Sequence, residues 1–165
     1  MPTKGRPATP PGRRCAAFAV QIACRAAGLP SAAKLRRWAR AAAPGACEVT
    51  LRLVGAAEGR RLNLRYRGID SATNVLSFGY SGGGTRSPLH GDIVLCHPVL
   101  AREAREQAKT LVAHYAHLVV HGMLHLRGHD HRRVAERARM ERAEKRILSR
   151  LGVRDPYEAP AVAAR

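Results

Sequence analysis

The chain reads as an α+β protein, a single domain with a mixed sheet of about four strands and helices packed on it. Three observations predict this. Short apolar stretches that alternate as strands do are interleaved with longer segments of helical period. A length of 165 residues with 45% hydrophobic content suits one globular core. No period of 20–50 residues repeats, so an array architecture is excluded.

The elements follow in order. Residues 1–14 (MPTKGRPATPPGRR) are basic, Pro-rich and without apolar periodicity, and read as a disordered basic tail. Residues 17–24 (AFAVQIAC) predict a short buried strand. Ser31 can cap a helix running to about Ala42, with Leu35, Trp38 and Ala42 at helical spacing. Pro44-Gly45 breaks the chain. Residues 47–54 (CEVTLRLV) alternate, with Val49, Leu51 and Leu53 on one face and Thr50 and Arg52 on the other. A helix from about Ala57 carries Leu62 and Tyr66 four apart and ends at Gly68.

Residues 73–78 (TNVLSF) predict a third strand, and residues 79–90, with Gly82-Gly83-Gly84 and Pro88, a flexible connection. Residues 91–96 (GDIVLC) predict a fourth strand, and Pro98 suits the first turn of the helix after it. A long helix is expected over about Thr110 to Arg127. A charged one follows over about Arg132 to Leu151, stopped by Gly152. The domain therefore spans 15–157, with a flexible C-terminal tail at 158–165.

Composition narrows the function. No apolar run approaches the roughly 20 residues of a membrane span, and no N-terminal stretch resembles a secretory signal, so a cytoplasmic protein with no membrane partner is expected. The absence of acidic residues before Glu48 also fits an organellar transit peptide, against which the folded-looking segments after residue 14 weigh. Cys15, Cys24, Cys47 and Cys96 form no CxxC pair and read as small thiols of a reducing compartment. Lys and Arg number 29 against 12 Asp and Glu, a formal +17, which attracts polyanions and above all nucleic acid. A bias toward Arg and Ala throughout the chain supplies part of that charge. Aromatics are only 4%, so contacts to the backbone of a nucleic acid should outweigh base stacking.

Six of the eight histidines lie between His114 and His131. On a helix turning about 100° per residue, Leu111, Tyr115, Leu118, Val119 and Gly122 form a stripe facing the sheet. His114, His117, His121 and His125 fall on the neighbouring arc. Helical residues four apart can share an ion, so 117/121 and 121/125 both qualify, whereas 117 and 125 stand about 12 Å apart along the axis. A third ligand must come from elsewhere. Gly128 can adopt the left-handed conformation that ends a helix and brings His131 back. HGMLHLRGHDH at 121–131 then reads H-x3-H-x2-G-x2-H, the metal-binding frame of metzincin peptidases with Gly122 in place of their catalytic Glu. The site predicted is one zinc ion per chain on His121, His125 and His131, on a helix and the turn after it, with an open fourth position. His129 is the weaker third ligand because less chain separates it from Gly128. His114 and His117 are expected beside the ligands or facing solvent. Asp130 could accept from a ligand imidazole and orient it.

HGMLHLRGHDH, with LNLRYRGID at 62–70, TNVLSF at 73–78, GDIVLC at 91–96 and LGVRDPY at 151–157, resembles the YbeY-type bacterial endoribonucleases. These blocks stand in the family's order over about residues 17–157. The resemblance implies a zinc-dependent, single-strand-specific endoribonuclease of ribosomal RNA maturation, notably at the small-subunit 3′ end, and of ribosome quality control. Its implied partners are single-stranded RNA, ribosomal RNA, the ribosome and ribosome-associated proteins. It places His121, His125 and His131 on the metal ligands and Arg67 on a catalytic arginine, a role that suits a guanidinium forked on a phosphate. Asp92, Asn74 and Ser77 remain open between structural and RNA-contacting roles. With Gly122 beside His121, the sequence leaves two routes: water made acidic by the metal, or attack by the RNA's own 2′-OH. Two other classes remain to be weighed, a zinc peptidase on the same frame and an RNA- or ribosome-binding factor with a structural metal.

Overall fold

The computed structural model describes residues 16–43, 45–80, 88–129 and 133–158. Among the described residues nine elements succeed one another: β1 (Ala17–Ile22), α1 (Ala32–Ala42), β2 (Cys47–Val54), α2 (Ala56–Arg67), β3 (Val75–Gly79), β4 (Leu89–Cys96), α3 (His97–Glu106), α4 (Leu111–Leu126) and α5 (Val134–Arg150). The strands form one mixed sheet in the order β1-β2-β4-β3. β2 pairs in parallel with β1 and β4, and β3 pairs antiparallel with β4. This is the α+β domain with a four-stranded sheet that the patterning predicts.

The local signals act where expected. The Ser31 side chain accepts from the Lys34 N–H and caps α1, and Thr110 caps α4 through the Ala113 N–H. Gly68 closes α2 in the left-handed conformation, and Pro98 occupies the first turn of α3.

Alternation divides the sheet into two faces. Phe18, Val49, Leu51, Leu53, Ile93 and Leu95 point into the main core, where Leu35, Trp38, Tyr115, Val119, Met123 and Leu148 meet them from α1, α4 and α5. The other face has a smaller core of Val54, Leu76, Val94, Cys96 and Val99, with Leu62 of α2 packed against it. α4 is buried around most of its circumference: Ala116, Val120 and Leu124 are as inaccessible as Tyr115 and Val119. It is the central post of the domain, which rigidifies whatever it carries.

Three expectations are corrected. β1 stops at Ile22 and is no buried strand: only Phe18 is buried, and Ile22 is 50% exposed. As an edge strand it has one neighbour, and its outer face shares an open, polar stretch of sheet with Glu48, Thr50 and Asp92. The connection at 79–90 is shorter than expected. Gly79 belongs to β3 and Leu89 and His90 to β4, because Cys47 and Glu48 of β2 extend the parallel ladder back to those residues. Third, of the two placements expected for His114 and His117, the one facing solvent does not occur: His114 is buried, and His117 is half-buried with its ring 6.0 Å from that of His121. Cys47 and Cys96 are buried free thiols and Cys24 is half-buried. The predicted tail at 1–14, and all of the predicted tail at 158–165 except Glu158, lie outside the described residues, as does Cys15. Among the described residues, no helix is long and apolar enough to cross a membrane.

Candidate metal centre and cleft

A cleft of about 440 Å³ runs between α4 and the edge strand β3. Val75, Ser77 and Gly79 form its strand wall, His121, His125 and Leu126 its helix wall, and Arg67 and Asn74 its rim. The structure thus brings together Arg67, at the end of α2, and two of the three histidines of the predicted frame. His131 and Asp130 lie outside the described residues.

The two histidines converge. Their Nε2 atoms are 3.0 Å apart and their rings meet edge to face at 75°. Two imidazole nitrogens bound to one tetrahedral zinc lie roughly 3.3 Å apart, so this spacing fits a shared ion. After the last helical turn Gly128 has φ 86°. The N–H of His129 closes that turn on the Leu124 carbonyl. Only a residue tolerant of the left-handed region redirects the chain here at low cost, which is what the frame requires of position 128.

His121 has a second neighbour that sequence patterning does not reveal. Its Nδ1 is 2.6 Å from Oε1 of Glu144, on α5, and Nε2 of His117 is 3.5 Å from Oε2 of the same carboxylate. The Tyr157 hydroxyl donates to Oε2 in a very short hydrogen bond. Glu144 is wholly inaccessible. Burial by itself would raise its pKa, but the close His117 ring and the bonds from His121 and Tyr157 prevail and hold it down at about 2. Burial, then the facing carboxylate, push the Tyr157 hydroxyl up, so it stays protonated as a donor. His117, His121 and Glu144 each place one ligand-type atom within 4.8 Å of the others, a cluster that could hold a metal ion.

His114 belongs to a different network. It donates through Nε2 to Glu103 of α3, which also accepts from the Asn74 side chain. Its burial, partly offset by Glu103, lowers its pKa. Asn74 is thereby a strut between β3 and α3, and its Oδ1 accepts the first N–H of β3. Asp92 accepts from the Tyr80 hydroxyl on the open sheet face, away from the cleft. Near Arg67, Arg60 grips both oxygens of Asp70 at 2.6 Å, which keeps that carboxylate occupied.

Gly122 has a steric cause. A Cβ at this position would lie 2.9 Å from Cγ2 of Ile93 and 3.2 Å from the Ser77 hydroxyl, because α4 presses directly on β3 and β4. Ile93 is fully buried and has nowhere to go. No side chain fits at 122, so the metzincin glutamate has no place here. Gly122→Ala should overpack the interface at the upper end of about 1–3 kcal/mol, because the buried Ile93 cannot yield, and this exceeds the roughly 1 kcal/mol gained in helix propensity. Thermal unfolding should therefore begin a few degrees lower (about 2–4 °C per kcal/mol); an unchanged or higher Tm would refute the close packing.

An α+β domain with paired histidines on its central helix, a buried carboxylate behind them and an arginine across the cleft has the make-up of a hydrolase centre. Comparison with known proteins narrows this class. The sequence profile of the family described as Endoribonuclease YbeY matches residues 31–152. Endoribonuclease YbeY of Aromatoleum aromaticum is 58% identical over 128 residues, 78% of this chain and 81% of that protein. Its namesake in Bordetella avium is 52% identical over 151 residues, covering 86% and 92%. The one in Cupriavidus necator is 47% identical over 156 residues, covering 94% and 78%. The solution structure of TM1509 from Thermotoga maritima shares the fold, with a TM-score of 0.52 at 22% identity over 88% of this chain and 99% of that one. The chain belongs to the YbeY family of endoribonucleases, a class of RNA-cleaving hydrolases.

Proposed function

We propose that this protein is a zinc-dependent, single-strand-specific endoribonuclease of the cytoplasm. It acts in ribosomal RNA processing, at the 3′ end of the small-subunit RNA, and in ribosome quality control, with ribosomal RNA, the ribosome and ribosome-associated proteins as partners. The observation that carries this reading is the pair of Nε2 atoms 3.0 Å apart in a cleft that Arg67 also lines. His121 and His125 hold the ion, with His131 as third ligand and Asp130 orienting an imidazole. Zinc, when bound, supplies Lewis-acid polarisation of a phosphate oxygen and lowers the pKa of water toward 7.

The chain's own residues do the rest. Arg67 reaches the cleft from the last turn of α2 and offers a planar fork that matches two oxygens of one phosphodiester. A formal charge of +17 draws the RNA backbone in. The cleft is open along an edge strand, which suits an extended strand better than a rigid duplex. Gly122 and its packing argue against a peptidase, which needs a base at that position.

The test is incubation of the zinc-loaded protein with single-stranded RNA, double-stranded RNA and casein. Cleavage of the single strand alone is expected, stopped by chelation and restored by zinc. Equal cleavage of the duplex, digestion of casein, or intact RNA would each overturn the reading. The product ends identify the nucleophile: a 2′,3′-cyclic phosphate marks the 2′-OH, and a 5′-phosphate marks water.

A further inference from the structure

We propose that Glu144 is a positioning residue rather than a metal ligand. From α5 it grips Nδ1 of His121 and turns Nε2 toward the cleft, and Tyr157 of the C-terminal segment locks it in place. The inference rests on the reading of His121 and His125 as ligands and goes beyond it.

Placement is the first argument. The buried residues of α5 are Met140, Ala143, Glu144, Ile147 and Leu148, so a carboxylate stands in the apolar stripe with no exposed surface. A charge in such a place persists only when donors surround it. Here they converge from two other segments, His121 on α4 and Tyr157 beyond α5, with the His117 ring 3.5 Å away beside them.

Distance is the second. The 2.6 Å between His121 Nδ1 and Glu144 Oε1 is a charge-assisted hydrogen bond. Two ligands of one tetrahedral ion stand roughly 3.3 Å apart, so Nδ1 and Oε1 are poorly spaced to share one. The Nε2 atoms of His121 and His125, 3.0 Å apart, are closer to that separation. A neutral imidazole has one N–H and one lone pair. With the N–H on Nδ1 facing Glu144, the lone pair is on Nε2, facing His125. A carboxylate behind a ligand imidazole fixes its tautomer and ring orientation and raises its basicity. Sequence separation is the third argument: Glu144 is 23 residues from His121, so the contact ties α5 and the chain's C-terminal segment to the metal centre.

Zinc affinity, measured by competition with a chelator, separates the possibilities. Wild type and Glu144→Gln should each bind one zinc, the variant about 10–100-fold more weakly. Tyr157→Phe, which loses only the hydroxyl, should weaken binding by a smaller factor. His125→Ala should lose stoichiometric zinc. Wild-type affinity in Glu144→Gln would overturn the inference while leaving the metal reading intact. Loss of all zinc from Glu144→Gln with retention in His125→Ala would make Glu144 a ligand alongside His117. A wild type that binds no zinc would sink the metal reading and this inference together. Should Glu144→Gln fail to fold, imidazole nitrogen NMR of the wild-type zinc form still decides. A proton on Nδ1 of His121 supports the positioning role, and a proton on Nε2 overturns it.

Discussion

His125→Ala should emerge from purification without its zinc and with cleavage lowered on the order of 10³-fold or more. A bound ion supplies several kcal/mol of transition-state stabilisation, at 1.36 kcal/mol per tenfold. Removing one of three ligands weakens binding beyond the 10–100-fold typical of a residue that only orients a ligand. The fold should survive. His125 is half-buried in the last turn of α4, where alanine is an excellent helix former. Circular dichroism and thermal unfolding of the metal-free proteins should therefore coincide while zinc content and rate diverge. Wild-type zinc content in this variant would remove His125 from the site.

Arg67→Ala should leave zinc content and fold intact and still cut kcat by about 10²–10³-fold, as loss of one preorganised donor does. Its side chain is exposed at the end of α2, so no packing is lost, and its proposed work is on the phosphate. RNA affinity should change little, because one cation among the 29 Lys and Arg carries a small share of the attraction. Arg67→Lys should rescue only partly: it keeps the charge and gives up the two-pronged geometry. A kcat within twofold of wild type at saturating RNA and matched zinc would take Arg67 out of the catalytic machinery.

Local signals in this sequence have local readers, and those are legible without coordinates. Ser31 and Thr110 cap helices, Gly68 and Gly128 turn the chain with positive φ, and the alternation at 47–54 separates the two faces of β2. Strand order is set by pairing across long separations, so the exposure of β1 follows from its edge position and not from its apolar composition. The cleft is half legible. The frame on α4 names His121 and His125, but Glu144 reaches His121 across 23 residues and Tyr157 arrives from the chain's end. One signal does point to Glu144. It stands beside Ala143 and between Met140 and Ile147 on the stripe that α5 buries, and a carboxylate there demands a partner. The absence of a glutamate beside His121 is visible in the sequence, whereas its cause, Ile93 against Gly122, appears only once α4 is laid on the sheet.

Anomalous diffraction at the zinc edge, from crystals of the zinc-loaded protein, locates the ion directly. One peak is expected per chain, about 2.0–2.1 Å from Nε2 of both His121 and His125, with His131 as the third ligand. A peak instead among His117, Nδ1 of His121 and Glu144, or no peak at all, would contradict the account.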